Sequence, residues 1–363
     1  MPQIRRLDLW RPAPSAAIFG AMAIPQLTED MPFKVLRKTW QPVALSRDLR
    51  PNDLRPYRLL GEEIVVARFP LGLLAAQNSC PHKGMKLDKG CLRESELRCA
   101  YHGWKFDHAG NCTNIPSLLQ PLPDKQEQAR LTVYAVQERY GMIWVRLDAD
   151  ELSRLPVVPE FEDPRWSYSV AEPMVFQAGF RREIENYLDM THFAFAHSGS
   201  LGVAADSVVP AMKITELEDG FQMDAPFPSL QASEVQPGKL QQAHQRRQRC
   251  HLPNFTTIRQ TFADGDERVL VHIPSPNDLE RSTVFWALAI SPGFRGPMPA
   301  EQMEFAVRVL HEDRTMCESQ VPKEVPINPS KGGWGVLVTP GDTLANTFQR
   351  TFRKFLLRSL GPS

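Results

Sequence analysis

The amino-acid sequence of 363 residues predicts an α+β protein with two domains. Three observations predict this fold class. Residues 31–148 contain short apolar segments separated by turns of Gly, Asn and Asp, which is typical of an all-β domain. Residues 149–166 are rich in proline, as expected of a linker. Residues 167–363 alternate strand patterns with long helical patterns, which indicates a mixed second domain.

The elements expected in the N-terminal domain are short strands. Before it, residues 1–30 carry three arginines and several prolines, and we expect a wrapping arm there rather than an organelle transit sequence. A hairpin turn is expected at residues 107–111, because Gly and Asn favour tight turns. The strands are predicted at residues 64–69, 71–77, 98–106, 112–115 and 141–147.

The C-terminal domain is expected to combine a sheet with three helices. Several strands are predicted between Gln241 and Ile290. Residues 219–236 are expected to form a loop, either a mobile one over a pocket or a simple surface loop. The helices are predicted at residues 186–197, 301–320 and 346–360.

The composition indicates a globular protein without a nucleic-acid or membrane-spanning role. Its 42 basic and 42 acidic residues cancel, so no strong surface field would attract a polyanion. No apolar run approaches the roughly 18 residues that a membrane span needs. Six cysteines are too few for a disulfide framework, and reduced thiols predict a cytoplasmic protein.

Two cysteines and two histidines form the first candidate site. Cys80-Pro-His82 is followed, after a gap of 16 residues, by Cys99-Ala-Tyr-His102. Two thiolates and two imidazoles on two loops are the ligand set of a Rieske [2Fe–2S] cluster, in which the histidines remove negative charge and raise the reduction potential. Zinc could use the same four atoms, although zinc fingers pair like ligands on one loop. The sequence therefore predicts a Rieske cluster, with zinc as the alternative.

A second polar cluster lies within the helix predicted at residues 186–197. Asn186, Asp189 and His192 recur every third residue and would share one face of a regular helix. His197 comes five residues after His192, which places it about 140° around the helix. Both imidazoles can therefore meet one metal ion only if the helix ends, kinks or bulges between them. The alternative is a pair of hydrogen-bonded core histidines.

The order Cys-x-His, Cys-x-x-His and then Asn-x-x-Asp-x-x-His-x-x-x-x-His resembles the Rieske non-heme iron oxygenases along nearly the whole chain. Within them, the sequence is similar to the vanillate O-demethylase and dicamba monooxygenase group. The resemblance implies an N-terminal Rieske domain and a C-terminal helix-grip catalytic domain, in which an antiparallel sheet surrounds a long helix. Met85 and Tyr101 stand where respiratory Rieske proteins carry a disulfide, so a lower-potential, ferredoxin-like cluster is implied.

The resemblance also implies a mononuclear Fe(II) site held by two histidines and a carboxylate. The histidines are His192 and His197, and the carboxylate is Asp313 in the helix predicted at residues 301–320. Glu312 and Asp342 are the alternatives for this third ligand.

In the family, an aspartate carries electrons to the mononuclear iron from a cluster on a neighbouring subunit. The matching residue here is Asp189, with Asn186 before it in the motif, and its partner would be His102 of the adjacent chain. This arrangement implies a homotrimer.

The implied function is that of a terminal oxygenase that uses O2 for hydroxylation or oxidative demethylation of an aromatic or heterocyclic small molecule. Electrons would come from NAD(P)H through a separate reductase, because no Gly-x-Gly-x-x-Gly fingerprint follows a strand. Asn254 and His272 resemble substrate-binding residues of the group, although each could equally be a satisfied core residue. The alternatives are a cis-dihydroxylating ring dioxygenase and a non-catalytic Rieske electron carrier with a docking domain.

Overall fold

The computed structural model describes residues 27–121, 123–198, 200, 208–209, 211–226, 243–262, 264–328, 337 and 339–360. Within these residues the predicted α+β class is confirmed: a β-rich N-terminal half is followed by a large antiparallel sheet with helices. Most of the predicted arm, residues 1–26, lies outside the described part of the chain.

The N-terminal half is built on a six-stranded antiparallel sheet with the order β1-β10-β9-β4-β3-β2. Two short helices, α1 and α2, accompany it, so this half is not purely β as predicted. The elements are α1 Met31–Leu36, β1 Gln41–Leu45, β2 Leu54–Leu59, β3 Glu62–Phe69, β4 Gly72–Gln77, α2 Pro123–Gln128, β9 Val133–Arg139 and β10 Met142–Arg146.

A small four-stranded sheet, with the order β5-β6-β7-β8, projects from this half. Its strands are β5 Cys91–Arg93, β6 Glu96–Arg98, β7 Lys105–Phe106 and β8 Cys112–Asn114. The hairpin turn expected at residues 107–111 is present, because Asp107 accepts hydrogen bonds from the amides of Ala109 and Asn111. The prediction of a single strand at residues 98–106 is wrong. The strand stops at Arg98, and residues 99–104 form a loop before β7 begins.

The C-terminal half carries a sheet with the order β11-β18-β17-β16-β15-β14-β13, and β12 pairs with β18. The strands are β11 Ser167–Val170, β12 Met174–Phe176, β13 Lys213–Leu217, β14 Gly220–Pro226, β15 Ala243–His251, β16 Phe255–Phe262, β17 Glu267–Asp278 and β18 Arg281–Ile290. Residues 220–226 were predicted as part of a loop, but they pair along β13 and β15. The rest of that loop, residues 227–236, lies outside the described residues.

Four helices belong to the C-terminal half, and α3, α5 and α6 pack against the sheet. They are α3 Phe180–Leu188, α4 Phe193–Ala196, α5 Pro299–Ser319 and α6 Thr343–Ser359. The last two confirm the helices predicted at residues 301–320 and 346–360. Among the described helices, none is long and apolar enough to cross a bilayer.

The two faces of the large sheet have different partners. Side chains alternate across a strand, so neighbouring residues point to opposite faces. On one face, Val269 and Phe255 form a core with Trp144 of β10, in the N-terminal half. On the other face, Leu288 forms a core with Leu310 of α5. We call this second face, which lies under the helices, the inner face of the sheet.

The predicted helix at residues 186–197 is interrupted, but not where the sequence suggested. It ends at Leu188, and Asp189 has an extended backbone with ψ of 123°. A short helix, α4, then starts after His192 and stops at His197. The interruption therefore precedes the first histidine, whereas we expected it between the two.

Candidate metal centres

Two loops of matching geometry carry the Cys and His pairs of the N-terminal half. In each loop the amide of the cysteine donates to the carbonyl five residues later, from Cys80 to Met85 at 2.8 Å and from Cys99 to Trp104 at 2.9 Å. The residue four positions after each cysteine is a glycine with positive φ, and its amide donates back to the cysteine carbonyl. A left-handed backbone at this point explains the glycine in both loops.

The loops bring the four predicted ligands together. The imidazole centroids of His82 and His102 lie 4.5 Å apart, and both Cys80 and Cys99 are buried. Nδ1 of His82 is buried without a hydrogen-bond partner in the described residues, which suits a ligand atom. Burial raises the pKa of Cys80 to about 11, so this thiol stays neutral at pH 7 unless a metal replaces its proton. The pocket fits a metal cluster held by both loops.

The second centre is a triad that joins α4 to α5. Nε2 of His192 lies 3.1 Å from Nε2 of His197. Oδ1 of Asp313 lies 3.0 Å from Nε2 of His197 and 3.4 Å from Nε2 of His192. Metal bonds of about 2.1 Å at right angles place neighbouring ligand atoms about 3.0 Å apart. The three atoms therefore form one face of a site for an octahedral ion. Among the described residues, His192, His197 and Asp313 are the group whose ligand atoms lie close enough to hold one metal ion.

The end of α3 explains how the histidines reach this position. Asp189 turns the chain out of the helix, and its Oδ1 accepts hydrogen bonds from the amide and the hydroxyl of Thr191, both at 2.6 Å. Its other oxygen lies 3.5 Å from Nδ1 of His192. Burial disfavours the charged form of Asp189, but the neighbouring His192 imidazole and the hydrogen bonds from Thr191 outweigh it and hold its pKa below the usual value. Asn186 lies in the last turn of α3, where its carbonyl accepts the Asp189 amide at 3.1 Å.

The two alternative carboxylates have other partners. Oε2 of Glu312 accepts a hydrogen bond from Nδ1 of His197 at 2.7 Å and another from the hydroxyl of Ser200 at 2.7 Å. Asp342 accepts hydrogen bonds from the amide and hydroxyl of Thr339, which close a capping box over the short 3-10 turn at residues 340–342, just before α6. Glu312 thus orients a ligand rather than joining the triad, a role that the sequence did not suggest.

The two residues predicted to contact substrate, Asn254 and His272, make hydrogen bonds to other residues of the protein instead. The Asn254 amide donates to Gln41 at 2.7 Å and to the carbonyl of Pro274 at 2.8 Å. Nε2 of His272 lies 2.5 Å from the Glu183 carboxylate, and both side chains are buried. These contacts favour the alternative that both are satisfied core residues.

A row of polar side chains on the inner face was not predicted. Arg246 of β15, Gln260 of β16 and Arg268 of β17 stand directly opposite one another across three strands. Gln248 lies two residues after Arg246 on the same face. The segment from Gln241 to Arg249 is polar except for Ala243, so its alternation does not distinguish a buried face from an exposed one.

Comparisons with known proteins match both halves of the chain to known families. Residues 39–134 match the family described as the Rieske [2Fe-2S] domain, and residues 176–358 match the Vanillate O-demethylase oxygenase C-terminal domain. The methylxanthine N1-demethylase of Pseudomonas putida is 28% identical over 301 residues, which cover 80% of this chain and 83% of that protein.

The fold is also similar to that of solved structures. The Pseudomonas putida CBB5 protein NdmA with caffeine superposes with a TM-score of 0.78 at 25% identity, covering 91% of this chain and 96% of that one. Dicamba monooxygenase bound to dicamba superposes with a TM-score of 0.72 at 18% identity, covering 90% of this chain and 99% of that one. The second likeness shows the fold alone.

Proposed function

The chain belongs to the Rieske oxygenases with a catalytic domain of the vanillate O-demethylase type, and from that premise we propose which residues perform its reaction. It is an oxidoreductase that uses O2, a small-molecule substrate and a separate reductase. We propose that Cys80, His82, Cys99 and His102 hold the [2Fe–2S] cluster. We propose hydroxylation or oxidative demethylation of an aromatic or heterocyclic compound as the reaction.

One observation carries this proposal: His192, His197 and Asp313 converge on a single point. When bound, the cluster would supply single electrons and the mononuclear iron would supply open coordination positions for O2. An electron carrier with a docking domain would give no reason for these three side chains, drawn from α4 and α5, to meet. The triad therefore favours the oxygenase over that alternative.

The neighbours of the triad fix the orientation of its imidazoles. His197 donates a hydrogen bond from Nδ1 to Glu312, so the lone pair of its Nε2 faces the metal position. Glu312 thereby selects the tautomer that a metal requires. Asp189 lies 3.5 Å from Nδ1 of His192, which makes no hydrogen bond there, so this carboxylate acts on His192 through its charge.

The test is His192→Ala, measured by metal content, cluster absorbance and substrate-dependent O2 consumption. The variant should keep the cluster and lose the mononuclear iron and all turnover, since the two centres use separate ligands. Phe195→Ala is the control, because Phe195 lies on α4 with 63% of its surface exposed. Mononuclear iron that survives in His192→Ala would contradict the ligand assignment.

We also propose a homotrimer in which Asp189 links His192 to His102 of the neighbouring subunit. Two features support it: His102 is exposed beside Tyr101, which has 62% of its surface exposed, and the Asp189 carboxylate at the end of α3 is partly exposed. We place the protein in the cytoplasm, because its six cysteines are free thiols.

Mixed oligomers test this link. Asp189→Asn should leave both metal centres filled yet slow cluster oxidation by O2 in the presence of substrate. Co-expressed Asp189→Asn and His102→Ala chains should regain part of the rate, since some junctions would pair an intact cluster with an intact aspartate. A wild-type rate in Asp189→Asn, or a monomer by sedimentation, would end the proposal.

A further inference from the structure

Two arginines on the inner face of the sheet have no acidic partner in the described residues. Arg246 is 5% exposed, and its Nη2 donates to Gln248 at 2.9 Å, while its Nε has no hydrogen-bond partner. Arg268 donates to Gln260 at 2.7 Å and to Gln302 of α5 at 2.6 Å. Neutral amides therefore take the place of the carboxylates that buried guanidinium groups normally need.

Glu183 of α3 reaches this face, but its carboxylate is bonded to His272 and not to either arginine. Glu183 is paired with His272 and is almost fully buried. The Nε2 of Gln248 is a further buried donor without a partner. Around Arg246 the sheet thus offers unused hydrogen-bond donors and uncompensated positive charge.

The arginines lie next to the candidate iron site. The Arg246 guanidinium stands 5.9 Å from the ring centroid of Phe193, and that ring lies 4.9 Å from the His192 ring and 5.7 Å from the His197 ring. Tyr187 connects the two regions as well. Burial raises its pKa, and the charges of Arg246, Glu183, Asp313 and Arg268 all act on it.

Both guanidinium groups carry charge at neutral pH. Burial, with a smaller contribution from the charge of Arg246, lowers the pKa of Arg268 to about 10. Two like charges on one sheet face, with only a glutamine between them, repel each other unless an anion lies close to both.

We propose that Arg246 and Arg268 form the subsite that positions the substrate, and that the substrate therefore carries a carboxylate whose placement directs its methyl or methoxy carbon to the iron. The inference rests on the proposed oxygenase function, because it uses the triad as the reacting end of the site. It differs from the sequence-based assignment of Asn254 and His272, whose polar atoms are committed to the protein. Guanidinium groups bind carboxylates with two parallel hydrogen bonds, which also fixes the orientation of the bound molecule.

The test measures binding, so it does not depend on turnover. Calorimetric titration of the iron-loaded protein compares 3-methoxybenzoate with 3-methoxybenzamide, and 1-methylindole-3-carboxylate with its carboxamide. Wild type should bind each acid at least about tenfold more tightly than its amide, as expected for charge-assisted hydrogen bonds. Arg246→Met and Arg268→Met should each abolish most of this preference, and Arg246→Lys should keep part of it.

The control is Arg247→Met. Arg247 is the next residue of β15, points to the other face and pairs with Asp224 at 2.7 Å, so its loss should leave the preference unchanged. A second measurement separates ligand binding from a structural role. Without ligand, Arg246→Met should unfold at the same temperature as wild type or higher, because it removes a buried charge without an acidic partner.

Three results would overturn the subsite: no preference of wild type for any acid over its amide, an unchanged preference in both methionine variants, or a lower melting temperature of Arg246→Met. None of them bears on the oxygenase itself, which fails only if the triad does not hold iron or if substrate-dependent O2 consumption is absent.

Discussion

Replacing Glu312 by alanine should weaken iron binding at the triad without touching the cluster. Its Oε2 accepts the hydrogen of His197 Nδ1 at 2.7 Å, and His197 is 1% exposed. A hydrogen bond to a charged group is worth about 1.5–3 kcal/mol. Glu312 is 34% exposed, so solvent screening places the effect in the lower part of this range. A loss of about 1.4–2 kcal/mol corresponds to a tenfold to thirtyfold weaker affinity for Fe(II), as expected for a residue that orients a metal ligand.

The assay is an anaerobic Fe(II) titration of protein that has a complete cluster and an empty triad. Glu312→Gln should fall between wild type and alanine, because the amide oxygen still accepts the hydrogen bond but carries no charge. Glu304→Ala is the control, since Glu304 is exposed on the same helix. Wild-type affinity in Glu312→Ala, or an equal loss in Glu304→Ala, would refute the argument that this contact orients His197.

Three further outcomes are expected. Asp313→Ala should lose the mononuclear iron, whereas Asp342→Ala should keep it and cost about 1 kcal/mol of unfolding free energy through the lost hydrogen bonds from Thr339; the reverse pattern of metal content would contradict the choice of carboxylate. Cys80→Ser should remove the visible absorbance of the cluster and leave the triad able to bind Fe(II), and zinc without acid-labile sulfide in wild type would rule the cluster out. Burial raises the pKa of Glu324 from 4.5 to about 7 and outweighs the opposing effect of the Arg181 charge. The protonated form therefore stabilises the fold: this contribution is fully present below about pH 4.5 and is lost as the pH rises through about 7. Urea unfolding should show wild type losing up to about 3 kcal/mol between pH 5 and pH 8, and a slope that is equally steep in Glu324→Gln would show that another group is responsible.

Local spacing suggested the four cluster ligands, whereas the iron ligands His192, His197 and Asp313 came from the family resemblance. Cys80 with His82 and Cys99 with His102 lie on loops whose glycines are visible in the sequence, so each loop specifies its own geometry. The angle between the two histidines predicted a break between them, but the helix breaks before His192 instead. The position of the break was not predictable, because it depends on the hydrogen bonds that Asp189 makes with Thr191 after the helix has ended.

Contacts between distant parts of the chain were not predictable. Asn254 is bonded to Gln41, 213 residues earlier in the sequence, and no local pattern reports that pairing. Arg246 lies in a strand where arginine and glutamine occupy both faces, so hydrophobic alternation gives no sign that one face is buried. In both cases burial is decided by which elements meet, and a single sequence does not show this.

The core shared by the two halves limits how this enzyme can be divided. Trp144 of the N-terminal half packs with Phe255 of the large sheet, and a second core joins Ile64 to Phe348 of α6. Either half expressed alone would expose these apolar faces to water. The cluster half is therefore not an interchangeable module, and a chimera with another oxygenase would need both sides of this core from the same parent.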